Sequence, residues 1–175
     1  PGSATPATGL PVPPRRLQRR CMEDARHLTR LGHVWLKQPV YFITTCIARR
    51  RPLLNRPEAH AIFREEWHGL KTRHGWLCGP SVIMPEHVHF FATPVPGEAQ
   101  PLSKVVGKWK EWTAKRILPA TGTPAPLWQP EFFDHVLRSN TSRTEKWNYM
   151  RESPVRAGLV EHADAWPYAG HIDFQ

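Results

Sequence analysis

The sequence predicts an α+β fold: an antiparallel sheet of four to five strands with helices packed on it, mainly on one face. Three observations carry that prediction. Segments of strand and helix character follow in the order β-α-β-β-α-β-α. Only Pro85-Glu86 separates the second and third strand-like runs, so these two pair as a hairpin. Hydrophobic residues make up 40% of the 175 residues, with eight Trp and seven Phe, enough to build one buried core.

The elements follow in order. Residues 1–14 are rich in Pro, Gly, Ala and Thr and read as a disordered lead. Arg15 to Leu31 has the pattern of a basic helix, broken at Gly32. Residues 1–37 are therefore expected to form a basic extension, and 38–175 the folded domain. Val40 to Ile47 is β-branched and aromatic, a first strand. Pro57 stands where a helix begins, Ala59, Ile62, Phe63, Trp67 and Leu70 keep helical spacing, and Gly75 ends it. Trp76 to Met84 and His87 to Thr93 are the hairpin strands. Leu102, Val105, Val106, Trp109, Thr113, Arg116 and Ile117 mark a second helix, with a Pro/Thr/Gly loop over 119–126. Phe132 to Leu137 reads as a fourth strand. Thr141 to Glu152 reads as a third helix, stopped by Pro154, and Ala157 to Gln175 as coil packed by Leu159, Val160, Trp166 and Tyr168.

Charge narrows the function classes. Lys and Arg total 24 against 15 Asp and Glu, a net charge of +9. Ten basic and two acidic residues precede position 52, so a local excess of eight sits near the N-terminus and an excess of one in the rest. This asymmetry fits a polyanion partner, with nucleic acid ahead of an anionic membrane; the alternative is a solubilising tail. No run approaches 18 apolar residues, which excludes an apolar membrane-spanning helix, and no secretory signal is expected. Cys21, Cys46 and Cys78 are widely spaced and include no Cys-x-x-Cys pair, so reduced thiols are the simplest reading.

Two local features can carry chemistry. In His87-Val88-His89 the two histidines share one face of a strand, with Cα atoms about 6.5–7 Å apart, while Val88 and Phe90 point the other way. Two imidazoles at that spacing can converge on one metal ion; two partly exposed strand histidines are the plain alternative. On the third predicted helix, Trp147 and Met150 can form a buried stripe. Tyr149 lies about 200° from Trp147 around the axis, off that stripe. Taken alone it is an amphipathic tyrosine at a helix edge.

Together these features resemble the REP-associated tyrosine transposases, a branch of the single-tyrosine HUH nuclease superfamily. The resemblance covers Pro39 to Tyr168. Met84-Pro85-Glu86-His87-Val88-His89-Phe90 is similar to the His-hydrophobic-His setting of the family. Trp128-Gln129, Asp134-His135 and Arg138 resemble its Trp-Gln…Asp-His…Arg segment. Tyr149 to Val160 resembles its Tyr-x-x-x-Asn-Pro-x-Arg-x-Gly-Leu-Val block, and Trp166-Pro167-Tyr168 its usual ending.

The resemblance implies a ferredoxin- or RRM-like HUH nuclease fold, and a metal-dependent endonuclease and strand transferase for single-stranded DNA at hairpin-forming palindromes. His87 and His89 would hold a divalent cation, Mg2+ or Mn2+, as a Lewis acid at the scissile phosphate. Tyr149 would be the nucleophile, leaving a 5′-phosphotyrosine. The residue one turn beyond the tyrosine, usually Asn in this family and Gln in the wider transposases, would complete the metal site. Here that residue is Ser153, a shorter and poorer donor, with Glu152 and His135 as possible substitutes. Arg15, Arg16, Arg19, Arg20, Lys104, Lys108, Lys110, Lys115 and Arg138 are expected to contact DNA, as phosphate contacts that give affinity without sequence choice. Trp109 and Trp112 can stack on bases, although their helical spacing is that of core residues. The implied partners are single-stranded DNA and DNA hairpins, with no membrane. A monomer is expected, with a dimer as the alternative, and the expected location is the bacterial cytoplasm, at the nucleoid. A hairpin-binding protein that has lost catalysis is the rival reading favoured by Ser153. A different His-dependent phosphoesterase acting on RNA is a second rival; His27-Leu28-Thr29 has no clear mate for a paired His-x-Thr site.

Overall fold

The computed structural model describes residues 39–175. The expected disordered lead, basic helix and domain boundary near Gln38 lie outside those residues. Strand β1 (Val40–Cys46) is followed by helices α1 (Pro57–His68) and α2 (Leu70–His74), then β2 (Trp76–Met84) and β3 (His87–Pro94). Next come α3 (Leu102–Thr121), β4 (Phe133–Leu137), α4 (Asn140–Arg151), the short α5 (Ser153–Arg156) and β5 (Ala169–Gly170). The strands form one antiparallel sheet in the order β4-β1-β3-β2-β5. The α+β fold predicted from the sequence is the fold observed.

Alternation along the strands splits the sheet into two chemically different faces. Ile43, Ile83, Val88, Phe90 and Ala92 enter a large core with α1, α2 and α3. Its centre is aromatic: Phe63, Trp67 and Trp109 lie mutually 5.4–5.9 Å apart between ring centroids, and Trp128 lies 5.3 Å from Trp109. The Trp128 indole donates to the Thr113 hydroxyl at 3.0 Å, so the buried polar atoms of that pair satisfy each other. Val40, Phe42, Val82, Met84, Phe91 and Leu137 face the other way. There they form a smaller cluster with Met150 of α4 and with Trp166.

The structure corrects several details of the sequence reading. The helices α1–α3 share one face, as expected, and α4 covers the other through the single fully buried side chain of Met150. It begins at Asn140, one residue before the expected Thr141. Ser139 caps it by accepting from the Ser142 N–H, and the Ser142 hydroxyl accepts from the Ser139 N–H. Pro154 does not end the helical path. It occupies the first turn of α5, where its missing N–H costs nothing. The first long helix breaks at Gly69 into α1 and α2, and Gly75 closes α2 in left-handed backbone with φ 68°. Pro119 lies inside α3 rather than in a loop, because its ring is exposed while Ile117 anchors the last turn. The expected C-terminal coil supplies β5, which pairs with Ser81 and Val82 of β2.

Candidate active site

His87 and His89 stand on β3, on the face covered by α4. Their position is fixed from below by the hairpin turn. The Pro85 carbonyl accepts from the Leu53 and Leu54 N–H groups at 2.8 and 2.9 Å, and the Glu86 carbonyl from the Ile47 N–H at 2.8 Å. The turn is therefore tied to the segment that follows β1. Across the sheet, His89 is opposite Thr44 and His87 opposite Cys46.

Each imidazole is held at Nδ1. His87 Nδ1 lies 3.0 Å from Glu86 Oε1, and His89 Nδ1 lies 2.8 Å from the Thr44 hydroxyl. The two Nε2 atoms then face each other at 3.0 Å. The hydrogen bond from His87 is the main reason the Glu86 carboxyl sits below the usual carboxylate range, so it accepts and His87 Nδ1 donates. Burial, reinforced by the positive charge of His87, Lys146, Arg156 and Arg50, holds His89 well below the ordinary histidine range. His89 is thus a neutral imidazole with a single N–H. Either it donates from Nε2 to His87 while Thr44 donates to Nδ1, or it donates from Nδ1 to Thr44 and presents a lone pair at Nε2. The threonine hydroxyl serves both tautomers by rotating.

When both rings carry their proton at Nδ1 alone, two lone pairs converge, an arrangement that calls for a cation. Two ligands at right angles around one ion, each at about 2.1 Å, are about 3.0 Å apart, so the pair fits a divalent metal. A carboxylate at Nδ1, as Glu86 gives His87, is a usual way a protein orients a metal-binding imidazole, and the Thr44 hydroxyl holds His89 at the same atom. Among the described residues no group of three or more His, Cys, Asp or Glu forms a metal cluster. Oxygen atoms of water or phosphate would complete the coordination.

Tyr149 projects from α4 over this pair. It is 50% exposed, and its ring centroid is 6.3 Å from that of His89. Two cations flank the ring: Lys146 Nζ at 5.2 Å and the Arg156 guanidinium at 4.4 Å from its centroid. Arg156 also donates to the Tyr149 carbonyl at 2.7 Å and to the Ser153 hydroxyl at 2.8 Å, which ties α5 to the end of α4. Arg49 and Arg50 turn the chain after β1 through left-handed backbone, φ 60° and 52°, which non-glycine residues rarely adopt. The charge of Arg50 acts on both Glu86 and His89.

The structure thus brings His87, His89 and Tyr149 together and treats the other expected residues differently. Ser153 is buried, and its hydroxyl donates to the Tyr149 carbonyl at 3.0 Å and accepts from Arg156, so it is held between α4 and α5 with one acceptor lone pair left. His135 is exposed on the same sheet face but opposite Phe42, two residue pairs away from the Thr44 row. Glu152 is exposed at the end of α4. Lys104, Lys108, Lys110 and Lys115 all lie on α3, against the opposite face of the sheet. Lys108 and Lys115 pair with Glu111 at 2.9 and 2.7 Å. The Lys110 ammonium donates to the carbonyls of Gln129 and Pro130 at 2.6 and 2.8 Å, so it holds a loop in place. Arg138 is exposed just beyond β4, and Arg15, Arg16, Arg19 and Arg20 lie outside the described residues. Of the two candidate stacking tryptophans, Trp109 is core and Trp112 is 47% exposed beneath the Lys115 ammonium, again on the α3 side. Thr44, Glu86, Lys146 and Arg156 were not singled out from the sequence. Glu86 and Arg156 stand inside the two motif blocks, and that was their signal.

No family model matches the chain. The REP-associated tyrosine transposase of Escherichia coli strain K12 is 26% identical over 139 residues, covering 77% of this chain and 78% of that protein. The chain resembles the REP-associated tyrosine transposases. A solved structure of such a transposase, bound to a REP hairpin, matches with a TM-score of 0.63 at 24% identity, over 78% of this chain and 79% of that one. A candidate transposase from Deinococcus radiodurans R1 matches at a TM-score of 0.50 and 18% identity, over 69% of this chain and 95% of that one. Both likenesses bear out the fold read from the transposase motifs. Among the described residues no helix is long and apolar enough to cross a membrane.

Proposed function

We propose that this chain is a single-strand DNA endonuclease and strand transferase that acts at hairpin-forming palindromic repeats through a 5′-phosphotyrosine. The observation that carries the reading is the juxtaposition of two Nδ1-anchored histidines, their Nε2 atoms 3.0 Å apart, with an exposed tyrosine on a separate helix. A hairpin-bound transposase of the same fold supports the choice of nucleic acid. His87 and His89 would hold the divalent cation, Mg2+ or Mn2+. When bound, it supplies Lewis-acid stabilisation of charge on the phosphoryl oxygens.

The chain's own residues do the rest. Lys146 and Arg156 draw the phosphate toward the phenol and offset its charge. The Tyr149 oxygen attacks phosphorus, the bond to the 3′ oxygen breaks, and the phenolic proton leaves to solvent while the departing 3′ oxygen takes up a proton. The phosphodiester energy is retained in the tyrosyl ester, so a second 3′ hydroxyl can reverse the step and join a new strand. Glu86 and Thr44 keep the imidazoles aimed throughout.

The engagement of Ser153 by Tyr149 and Arg156 favours a second reading, a hairpin-binding protein with weak catalysis. Incubation with the hairpin repeats that flank the protein's own gene, followed by a denaturing gel, separates the two. A covalent protein–DNA adduct that disappears in Tyr149→Phe, with hairpin binding retained, is the expected result. An adduct that persists in Tyr149→Phe would move the nucleophile to Tyr41 or Tyr168, and no adduct with intact binding would leave the binding protein.

A further inference from the structure

We propose that Phe133 is a base-stacking platform for the nucleotide neighbouring the one at the histidine pair; this rests on the single-strand DNA reading above. Phe133 opens β4, the edge strand of the sheet, and is 37% exposed. Its neighbour Phe132 packs against the main core, so alternation leaves Phe133 alone on the histidine face. Register sets its place. Thr44 is the cross-strand partner of both Phe133 and His89, so the three residues form one row across the sheet. With strands about 4.8 Å apart, Phe133 and His89 are separated by about 10 Å of backbone.

Aromatic rings fill that interval. Phe42 stacks on the His89 ring at 5.3 Å with planes 28° apart, and Phe133 meets Phe42 edge-on at 6.2 Å. Phe42 is buried, which makes Phe133 the exposed end of a run of rings that starts at the reactive pair. Lys146 stands above the same run, its ammonium 4.8 Å from the Phe42 ring and 5.2 Å from the Tyr149 ring. A flat apolar surface beside a cation that also flanks the nucleophile matches what a single strand presents, a base face next to a phosphate.

The test uses the full chain in EDTA, so that binding is read without cleavage. The probes are a hairpin repeat with a single-stranded tail, the same hairpin without the tail, and a set of tailed hairpins with one abasic position each. Phe133→Ala should weaken binding of the tailed hairpin about five- to a hundredfold, the cost of one lost stacked base, and leave the tailless hairpin unaffected. One abasic position should cost the wild type a similar factor and cost Phe133→Ala nothing more. Phe133→Trp should bind like the wild type. Phe133→Leu, which keeps the apolar contact to Phe42 without a flat ring, should bind like Phe133→Ala. Wild-type affinity in Phe133→Ala, or an abasic penalty that persists undiminished in it, would overturn the platform while leaving the nuclease reading in place. A wild type that binds no tailed hairpin would overturn both.

Discussion

The two faces of this sheet are built from the same strands and do opposite work. The face under α1–α3 is dry, wide and aromatic, with Phe63, Trp67 and Ile83 fully enclosed. The face under α4 carries a smaller apolar cluster at one end and, at the other, a row of side chains that bond to one another: Thr44, His89, His87 and Glu86. The contrast teaches where rigidity comes from. The thick core fixes the strands, and the strands fix the imidazoles, so the histidine face needs only a thin cover that leaves Tyr149 half in solvent.

Paired substitutions break that comparison most sharply. Trp67→Ala should cost about 3–5 kcal/mol of stability, because it empties the centre of the aromatic cluster. Any fall in cleavage should then follow the unfolded fraction. His87→Ala should do the reverse: cleavage is lost while the thermal midpoint stays close to that of the wild type, since the ring is only partly buried and its partner Glu86 can turn to water. Thermal melts alongside adduct assays decide it. Equal destabilisation by both changes would mean the histidine face is structural.

Much of this division was legible in the residues. Strict alternation through Val88 and Phe90 sent their side chains to the core and His87 and His89 to the other face, because a strand has only two faces. The spacing of Ala59, Ile62, Phe63 and Trp67 announced the helix that covers the core. The side taken by α4 was not legible. Its buried stripe is little more than Met150, with Trp147 partly covered, so nothing in its pattern said which face would receive it. Thr44 was hidden for a different reason: a threonine among Val40, Ile43 and Thr45 reads as ordinary strand composition, and its bond to His89 exists only once β1 and β3 are in register. The partners of the α3 lysines were not legible either, because charge is visible in sequence and its partners are not. Glu111 and the carbonyls at Gln129 and Pro130 occupy three of them.

The supports of the imidazoles sharpen the comparison at a smaller scale. Thr44→Val keeps the β-branched shape and removes the hydroxyl that accommodates both tautomers of His89. Glu86→Gln keeps the size and removes the acceptor charge at His87. Each should weaken metal affinity about 10- to 100-fold, the usual cost of losing such an outer partner. Metal titration of cleavage would show it, with a rise in the required concentration and little change in the rate at saturation. A fall in the saturated rate with unchanged metal requirement would place these residues at the phosphate instead.

Ser153 gives the smallest expected effect and the finest test of the reactive face. The transposase resemblance makes it the third metal donor, whereas the structure gives its hydroxyl a donor's role to the Tyr149 carbonyl and an acceptor's role to Arg156. These bonds hold the hydroxyl along the helix and leave it one lone pair, a weak neutral donor for a cation. Ser153→Ala should therefore leave the metal titration unchanged and cost about 0.5–1.5 kcal/mol of stability, the net value of the lost hydrogen bonding. It should also loosen Arg156 from the Tyr149 end of α4, seen as a modest loss of rate. Ser153→Asn restores the residue type of the family, and its longer amide can reach beyond the helix surface. Tighter metal binding in Ser153→Asn, with Ser153→Ala unaltered, would mean that this face lacks a donor that the fold still has room to hold. Weaker metal binding in Ser153→Ala would return the native hydroxyl to the metal site and make its bonds to Tyr149 and Arg156 the state of the metal-free protein.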